Sequence, residues 1–255
     1  MLFSWARKLL NRQDAPAPVV PPGMRIYAVG DIHGRLDLLN GLLKQIEVDS
    51  QDGPENVLTV FLGDYVDRGP DSSGVLERLA TGPQPTPFCT LRGNHEEMVL
   101  NFFEDPDLLN AWRKYGGLEF LHSYGVDVSD IMRGQGYEKA RDALKEKMPA
   151  RHREFLEQTR HFVTYGDYFF CHAGIRPGVP CESQSPRDLL WIREDFLRFE
   201  GKSDKVVVHG HTPVAQPEIR QNRINVDTGA FATSILTAVV LENAERRFLS
   251  AGVNV

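Results

Sequence analysis

The chain has 255 residues, 41% hydrophobic and 25% charged, enough to bury the core of one large domain or two small ones. Its 29 Lys plus Arg against 35 Asp plus Glu leave a formal charge of -6, which argues against a dedicated nucleic-acid binder relying on global positive charge. The three cysteines, Cys89, Cys171 and Cys181, are odd in number and lack a C-x-x-C pair, so a reducing cytoplasm is expected rather than a disulfide framework or cysteine zinc cluster.

From the start of the chain, Leu2, Phe3, Trp5, Leu9 and Leu10 are interrupted by Arg7, Lys8 and Arg12, too often for a secretory apolar region. This segment reads as a frayed tail or as a short amphipathic helix for an anionic membrane surface. No apolar run approaches the roughly 18 residues of a membrane span. Residues 13–23, with Pro16, Pro18, Pro21, Pro22 and Gly23, read as an extended linker, so a single folded domain is expected over 24–255. Arg25 to Val29 is a strand candidate, followed by a Gly-Asp turn and Leu36, Leu39, Leu42, Leu43 and Ile46 at helical spacing. The unit recurs as strand Val57 to Leu62, loop Gly63 to Asp71 and helix Ser72 to Ala80, with serines at the helix start. A third copy runs from Phe88 to Leu91 into a helix near Glu96 to Phe103.

Three strand-loop-helix units favour an α/β sheet core, with chemistry at the carboxyl ends of the strands. Residues 104–160 read as a helical insertion, with Leu108, Leu109, Trp112, Leu118, Leu121, Leu144 and Phe155 as buried-face candidates. His161 to Tyr165 and Tyr168 to Cys171 form a candidate hairpin about Gly166-Asp167. Later strands are expected at Lys205 to Val208, Arg223 to Val226, Ile235 to Leu241 and Arg246 to Leu249.

The polar residues collect in the loops after these strands. They read Gly30-Asp31-Ile32-His33-Gly34, Gly63-Asp64-Tyr65-Val66-Asp67-Arg68-Gly69, Gly93-Asn94-His95-Glu96, His172-Ala173-Gly174 and His209-Gly210-His211-Thr212. Asp, Asn and His at successive strand ends offer ligands for Mn, Fe or Zn, and a carboxylate in a central loop can bridge two ions. Any one loop alone is an ordinary turn; five in order point to a metal site. Gly201-Lys202-Ser203 lacks the earlier glycine of a phosphate-binding loop, Phe196 standing there, and His95-Glu96 lacks the second His of a zinc-protease helix. Cys171 reads as core rather than as a nucleophile.

These motifs, GD-x-HG, GDYVDRG, RGNHE and HGHTP followed by Asp227-Thr228-Gly229-Ala230, resemble those of the metal-dependent serine/threonine phosphoprotein phosphatases. These are calcineurin-like metallophosphoesterases, and the ending resembles their bacterial and phage branch. The resemblance spans about residues 24–242 and implies a central β-sandwich flanked by helices. It implies that Asp31 and His33 hold a first ion, that Asp64 bridges, and that Asn94, His172 and His211 hold the second. His211, not His209, occupies the ligand position. Arg68, Arg92 and Arg193, together with Asn94, are implied as phosphate contacts. Arg193 rests only on Leu189-Leu190-Trp191-Ile192-Arg193, where a surface arginine after a short helix is the competing reading. His95 is implied as the general acid, oriented by Asp67 and favoured by it in protonated form, while a metal-bridging hydroxide attacks phosphorus directly.

The implied substrate is a phosphoserine or phosphothreonine protein, with two divalent ions, Mn ahead of Fe or Zn. The alternative is a symmetrical dinucleoside tetraphosphate, although GDYVDRG and GNHE lean towards the phosphomonoesterase. A scaffold that retains the fold without activity is disfavoured by the intact His95 and Asp67. The loop Asp227-Thr228-Gly229-Ala230 departs from the eukaryotic enzymes, so their partners do not carry over. Between 133 and 160, eight basic residues against five acidic ones either steer anionic substrates or form an ordinary solvated face.

Overall fold

The computed structural model describes residues 17–252; the Leu2 to Leu10 segment lies outside the described residues. Two five-stranded sheets carry the architecture. The first has the order β10 (Glu245–Gly252), β9 (Ile235–Glu242), β1 (Met24–Val29), β2 (Asn56–Phe61), β3 (Phe88–Thr90). The second runs β4 (Phe162–Tyr165), β5 (Tyr168–Cys171), β6 (Val206–His209), β8 (Arg223–Asn225), β7 (Glu218–Ile219). The pairs β1/β2, β2/β3, β5/β6 and β6/β8 are parallel, so both sheets present several carboxyl strand ends at one edge.

Side chains alternate across each strand, and the alternation builds three cores. Ile26, Ala28, Val60, Val239 and Leu241 from the first sheet meet Tyr168, Phe170, Val206, Val208 and Ile224 from the second, filling the space between the sheets. Their odd-numbered neighbours Tyr27, Val29 and Phe61, with Ala238 and Val240, face outwards onto helices. Phe169, Cys171 and Val207 pack outwards on Leu189, Ile192 and Phe196. The fold is thus a mixed α/β sandwich with helices on both outer faces, as the motif resemblance implies.

Helix Leu36–Gln51 buries Leu39, Leu42, Leu43 and Ile46 as the spacing predicts, with Leu38 also buried and Leu36 at the helix start only partly so. Helix Ser72–Thr81 is capped by Asp71, whose carboxylate accepts the Gly74 N–H at 2.8 Å, where serines were expected to cap. The region 104–160 is helical, with Tyr137–Lys147 and Ala150–Glu157 its longest elements. Leu109, Trp112, Leu121 and Leu144 are buried there, but Leu108, expected inside, is 40% exposed. Of its basic residues, Arg151 pairs with Glu77 and Arg153 with Glu157, which compensates their charge locally.

Three features differ from the sequence reading. Residues 17–23 are seated on the domain: Val20 is buried and its N–H donates to the Asn243 carbonyl, because an apolar side chain within the Pro-rich stretch reaches the inter-sheet core. Strand β7 is only two residues long, too short for alternation to reveal. A second short helix, Glu194–Leu197, follows Arg193 and with Pro186–Trp191 covers the outer face of the second sheet.

Candidate active site

The motif residues lie at the carboxyl strand ends: Asp31 and His33 after β1, Asp64, Asp67 and Arg68 after β2, Asn94 and His95 after β3, His172 after β5 and His211 after β6. Asp64 is at the centre. One of its oxygens is 3.5 Å from His33 Nε2 and 3.7 Å from His95 Nε2, and the other is 3.4 Å from His172 Nε2. His172 Nε2 also faces Asn94 Oδ1 at 3.0 Å and His211 Nδ1 at 3.1 Å. Two buried triplets, His33-Asp64-His95 and Asp64-His172-His211, each keep their ligand atoms within 4.8 Å and share Asp64. Asp31 stands behind His211, accepting its N–H at 3.1 Å.

The histidines are oriented from behind. His33 Nδ1 bonds to the Val66 carbonyl at 2.7 Å and His172 Nδ1 to the Leu62 carbonyl at 3.1 Å, so each must donate there and present an unprotonated Nε2. Nε2 of His33 and His172 thus converge with the oxygens of Asn94 and Asp64. Such a donor set is mutually repulsive alone and fits hard or borderline divalent cations. Burial pushes His172 down to about 3 and holds His33 and His211 neutral, while it raises Asp31 and Asp64 above the usual carboxylate range. Asp227 adds to the negative charge at Asp31, and its own carboxyl is pushed up to about 6 by burial. The residues present therefore fit a divalent-metal centre.

The loops that hold this centre are strained. His33, Asp64, Asp67, Arg68 and His211 have φ of 45°, 51°, 71°, 65° and 67°, the left-handed region that side chains avoid at a cost on the order of 1 kcal/mol or more each. Glu96 offsets part of that. Its buried carboxylate accepts the N–H of Asp64, Tyr65 and Gly93 at 2.7, 2.8 and 2.8 Å, tying the β2 loop to the helix Asn94–Glu104. Gly93 must lack a side chain, since a Cβ there would lie 2.1 Å from Asp64 Oδ1.

His95 Nδ1 and Asp67 Oδ2 are 2.5 Å apart, the pairing expected from the sequence. The expected stabilisation of a charged His95 ring by Asp67 is outweighed: burial, then Arg68 and Arg193, push it down to about 3. Arg68 Nη2 lies 3.3 Å from His95 Nε2, and its guanidinium sits over the Phe231 ring. Arg193 Nη1 reaches Thr212 Oγ1 at 3.4 Å on the rim. Arg92 differs from expectation. It donates to Thr159 Oγ1 at 2.9 Å and to the Leu156 and Glu157 carbonyls at 3.1 Å, because the last carbonyls of helix Ala150–Glu157 retain accepting capacity beside it.

Two aromatic residues at the mouth, Trp191 and Phe231, are each 37% exposed and were not singled out as site residues by their motifs. Trp191 lies 6.4 Å from the His211 ring, and Phe231 5.5 Å from His33, measured between centroids. His209 turns away onto Phe196, 5.1 Å between centroids. Asp227 and the bracing carboxylate of Glu96 also escaped assignment. Asp227 follows a strand like the other motif acids, a signal that was available; Glu96 lies inside a motif read for its neighbours.

A strained, buried cluster of Asp, Asn and His on two facing sheets is the layout of a metallophosphoesterase. The chain belongs to the calcineurin-like phosphoesterases, whose family model matches residues 24–233. It is 26% identical over 240 residues to "Bis(5'-nucleosyl)-tetraphosphatase PrpE [asymmetrical]" of Oceanobacillus iheyensis, covering 84% of this chain and 88% of that protein. It is 28% identical over 217 residues to serine/threonine-protein phosphatase 1 of Salmonella typhimurium, covering 83% and 89%. A solved cold-active protein tyrosine phosphatase shares the fold at a TM-score of 0.55 and 18% identity, over 91% of this chain and 81% of that one. Among the described residues no helix is long and apolar enough to cross a membrane.

Proposed function

We propose that this chain hydrolyses phosphoserine and phosphothreonine esters in proteins. Two divalent ions, Mn ahead of Fe or Zn, would be held by Asp31 and His33, by Asp64 between them, and by Asn94, His172 and His211. Bound there, the ions supply Lewis-acid activation of water and neutralise charge on the ester. The observation that carries the reading is His95, whose Nδ1 is held by Asp67 while its Nε2 points towards Asp64 and Arg68. That geometry suits a general acid delivering a proton from Nε2 to a leaving alkoxide, the demanding step for an alkyl ester. Arg68 and Arg193 clamp the phosphate oxygens. Burial is the main reason the His95 ring is neutral, with Arg68 and Arg193 adding to it, and a bound dianion would offset the part that the two arginines supply.

Cys171 does not compete as a nucleophile. Its thiol is buried, bonded to the Gly174 carbonyl and pushed well above the usual thiol range. Direct attack of water without a phosphoenzyme therefore accounts for the residues present.

The Salmonella relative supports the phosphoprotein reading. The second reading, a dinucleoside tetraphosphate, is favoured by the tetraphosphatase relative and by Trp191 and Phe231, exposed rings on which bases can stack. That relative's name moves the nucleotide reading from symmetrical to asymmetrical cleavage. The deciding assay measures kcat/KM of Mn²⁺-loaded protein on phosphoserine, phosphothreonine and phosphotyrosine peptides and on diadenosine tetraphosphate. Preference for the phosphoserine or phosphothreonine peptides is expected; preference for phosphotyrosine or the dinucleotide overturns the substrate assignment.

A further inference from the structure

The acid pair has a third member that comes from the helical insert. Trp112, at the end of the short helix Leu109–Trp112, is 1% exposed and donates its indole Nε1–H to Asp67 Oδ2 at 2.6 Å. That is the same oxygen that meets His95 Nδ1, while Asp67 Oδ1 has no partner among the described residues. Because both donors meet one oxygen of the carboxylate, the two contacts hold the same carboxylate plane and are kept or lost together. A partial turn about Cβ–Cγ would break both, and only a half-turn that exchanges the two equivalent oxygens restores them.

The insert grips the same loop a second time. Gly116 accepts the Arg68 N–H at 3.4 Å through its carbonyl, with φ of 104°, and a Cβ at Gly116 would lie 2.3 Å from Arg68 N. The indole is itself wedged between Phe102 and Phe120, with centroid separations of 5.3 and 5.4 Å. Phe102 belongs to the helix that begins with Asn94 and His95. One aromatic stack thus links the insert, the acid and the loop carrying Asp67.

We propose that Trp112 is a positioning residue that fixes the Asp67 carboxylate and through it the His95 ring, so that the insert forms part of the catalytic apparatus. The proposal rests on the reading of His95 as general acid. An alkyl phosphate needs that acid, whereas 4-nitrophenyl phosphate leaves as a stabilised phenolate and needs it far less. The test is the ratio of kcat on a phosphoserine peptide to kcat on 4-nitrophenyl phosphate, which does not depend on how much of the protein is folded. In Trp112→Phe, which keeps an aromatic ring and removes the donor, the ratio should fall about tenfold, the size of one charge-assisted hydrogen bond. KM for the peptide should stay within about twofold, since positioning acts on the chemical step.

Equal losses on the two substrates, or none, would reduce Trp112 to a core residue and overturn the proposal. His95→Asn separates the two readings. If it leaves the ratio unchanged, the acid assignment itself fails; if it lowers the ratio and Trp112→Phe does not, only the role of Trp112 fails. The contact has its own readout: exchange of the Trp112 indole proton should accelerate in Asp67→Ala, and unchanged protection would contradict the geometry.

Discussion

The two sheets support the candidate metal-binding cluster in different ways. On the first, four of the left-handed residues crowd into the loops after β1 and β2, and one carboxylate, Glu96, gathers the N–H groups of Asp64, Tyr65 and Val66 from the β2 loop and that of Gly93. On the second, His172 and His211 come from separate short loops joined by the Gly210 N–H to the His172 carbonyl at 2.8 Å. The first side contains its own brace; the second relies on the first, since the His211 N–H bonds to Asp31. Ligand loss on either side should empty the site, but only the first side should lose its shape when a residue that touches no ion is changed.

The largest effect is expected for Asp64→Asn. It replaces the charge common to both triplets, so metal analysis should find fewer than two equivalents and turnover should be lost; two full equivalents would refute sharing. His95→Asn should retain metal and lose roughly 10² to 10⁴ in kcat on an alkyl phosphomonoester, the range of general acid catalysis. Glu96→Gln keeps the shape but sets an amide donor against backbone donors. Urea unfolding should show a loss of roughly 1.5–3 kcal/mol. A stability unchanged in that variant would mean that the brace on the first sheet is ornamental.

The smallest effect concerns the insert. Glu77 accepts from Arg151 and His152, which hold its carboxyl down to about 2, below its ordinary 4.5. A carboxyl lowered in the folded state contributes fully above 4.5 and loses that contribution as pH falls towards 2. The stability gap between the native chain and Glu77→Gln should therefore shrink between pH 5 and pH 3, and a gap that widens on acidification would reverse the sign. Glu77 and Arg151 are half-exposed, so the gap is small.

The sequence revealed most where ligands and their support share a short segment. GDYVDRG and RGNHE hold Asp64, Asp67, Arg68, Asn94 and His95, which the fold brings together, and the Glu96 brace lies in the same segment although its motif was read for its neighbours. Period-two and helical spacing were likewise enough for the sandwich and the helix Leu36–Gln51. What stayed hidden acts across long separations. Trp112 reaches Asp67 over 45 residues, and as an apolar residue at helical spacing it is indistinguishable from ordinary core. Arg92 sits in a motif that suggests phosphate, yet the insert's helix end, 64 residues on, captures its guanidinium. The seating of Val20 escaped because proline-rich composition describes the segment, while burial depends on the single valine that reaches the sheets.

The central claim, two ions sharing Asp64, is tested most directly by anomalous X-ray diffraction from crystals of the Mn²⁺-loaded protein. Two anomalous peaks about 3.5–4 Å apart, one on each side of the Asp64 carboxylate, are expected. A single peak, or a pair that does not share Asp64, would contradict the account.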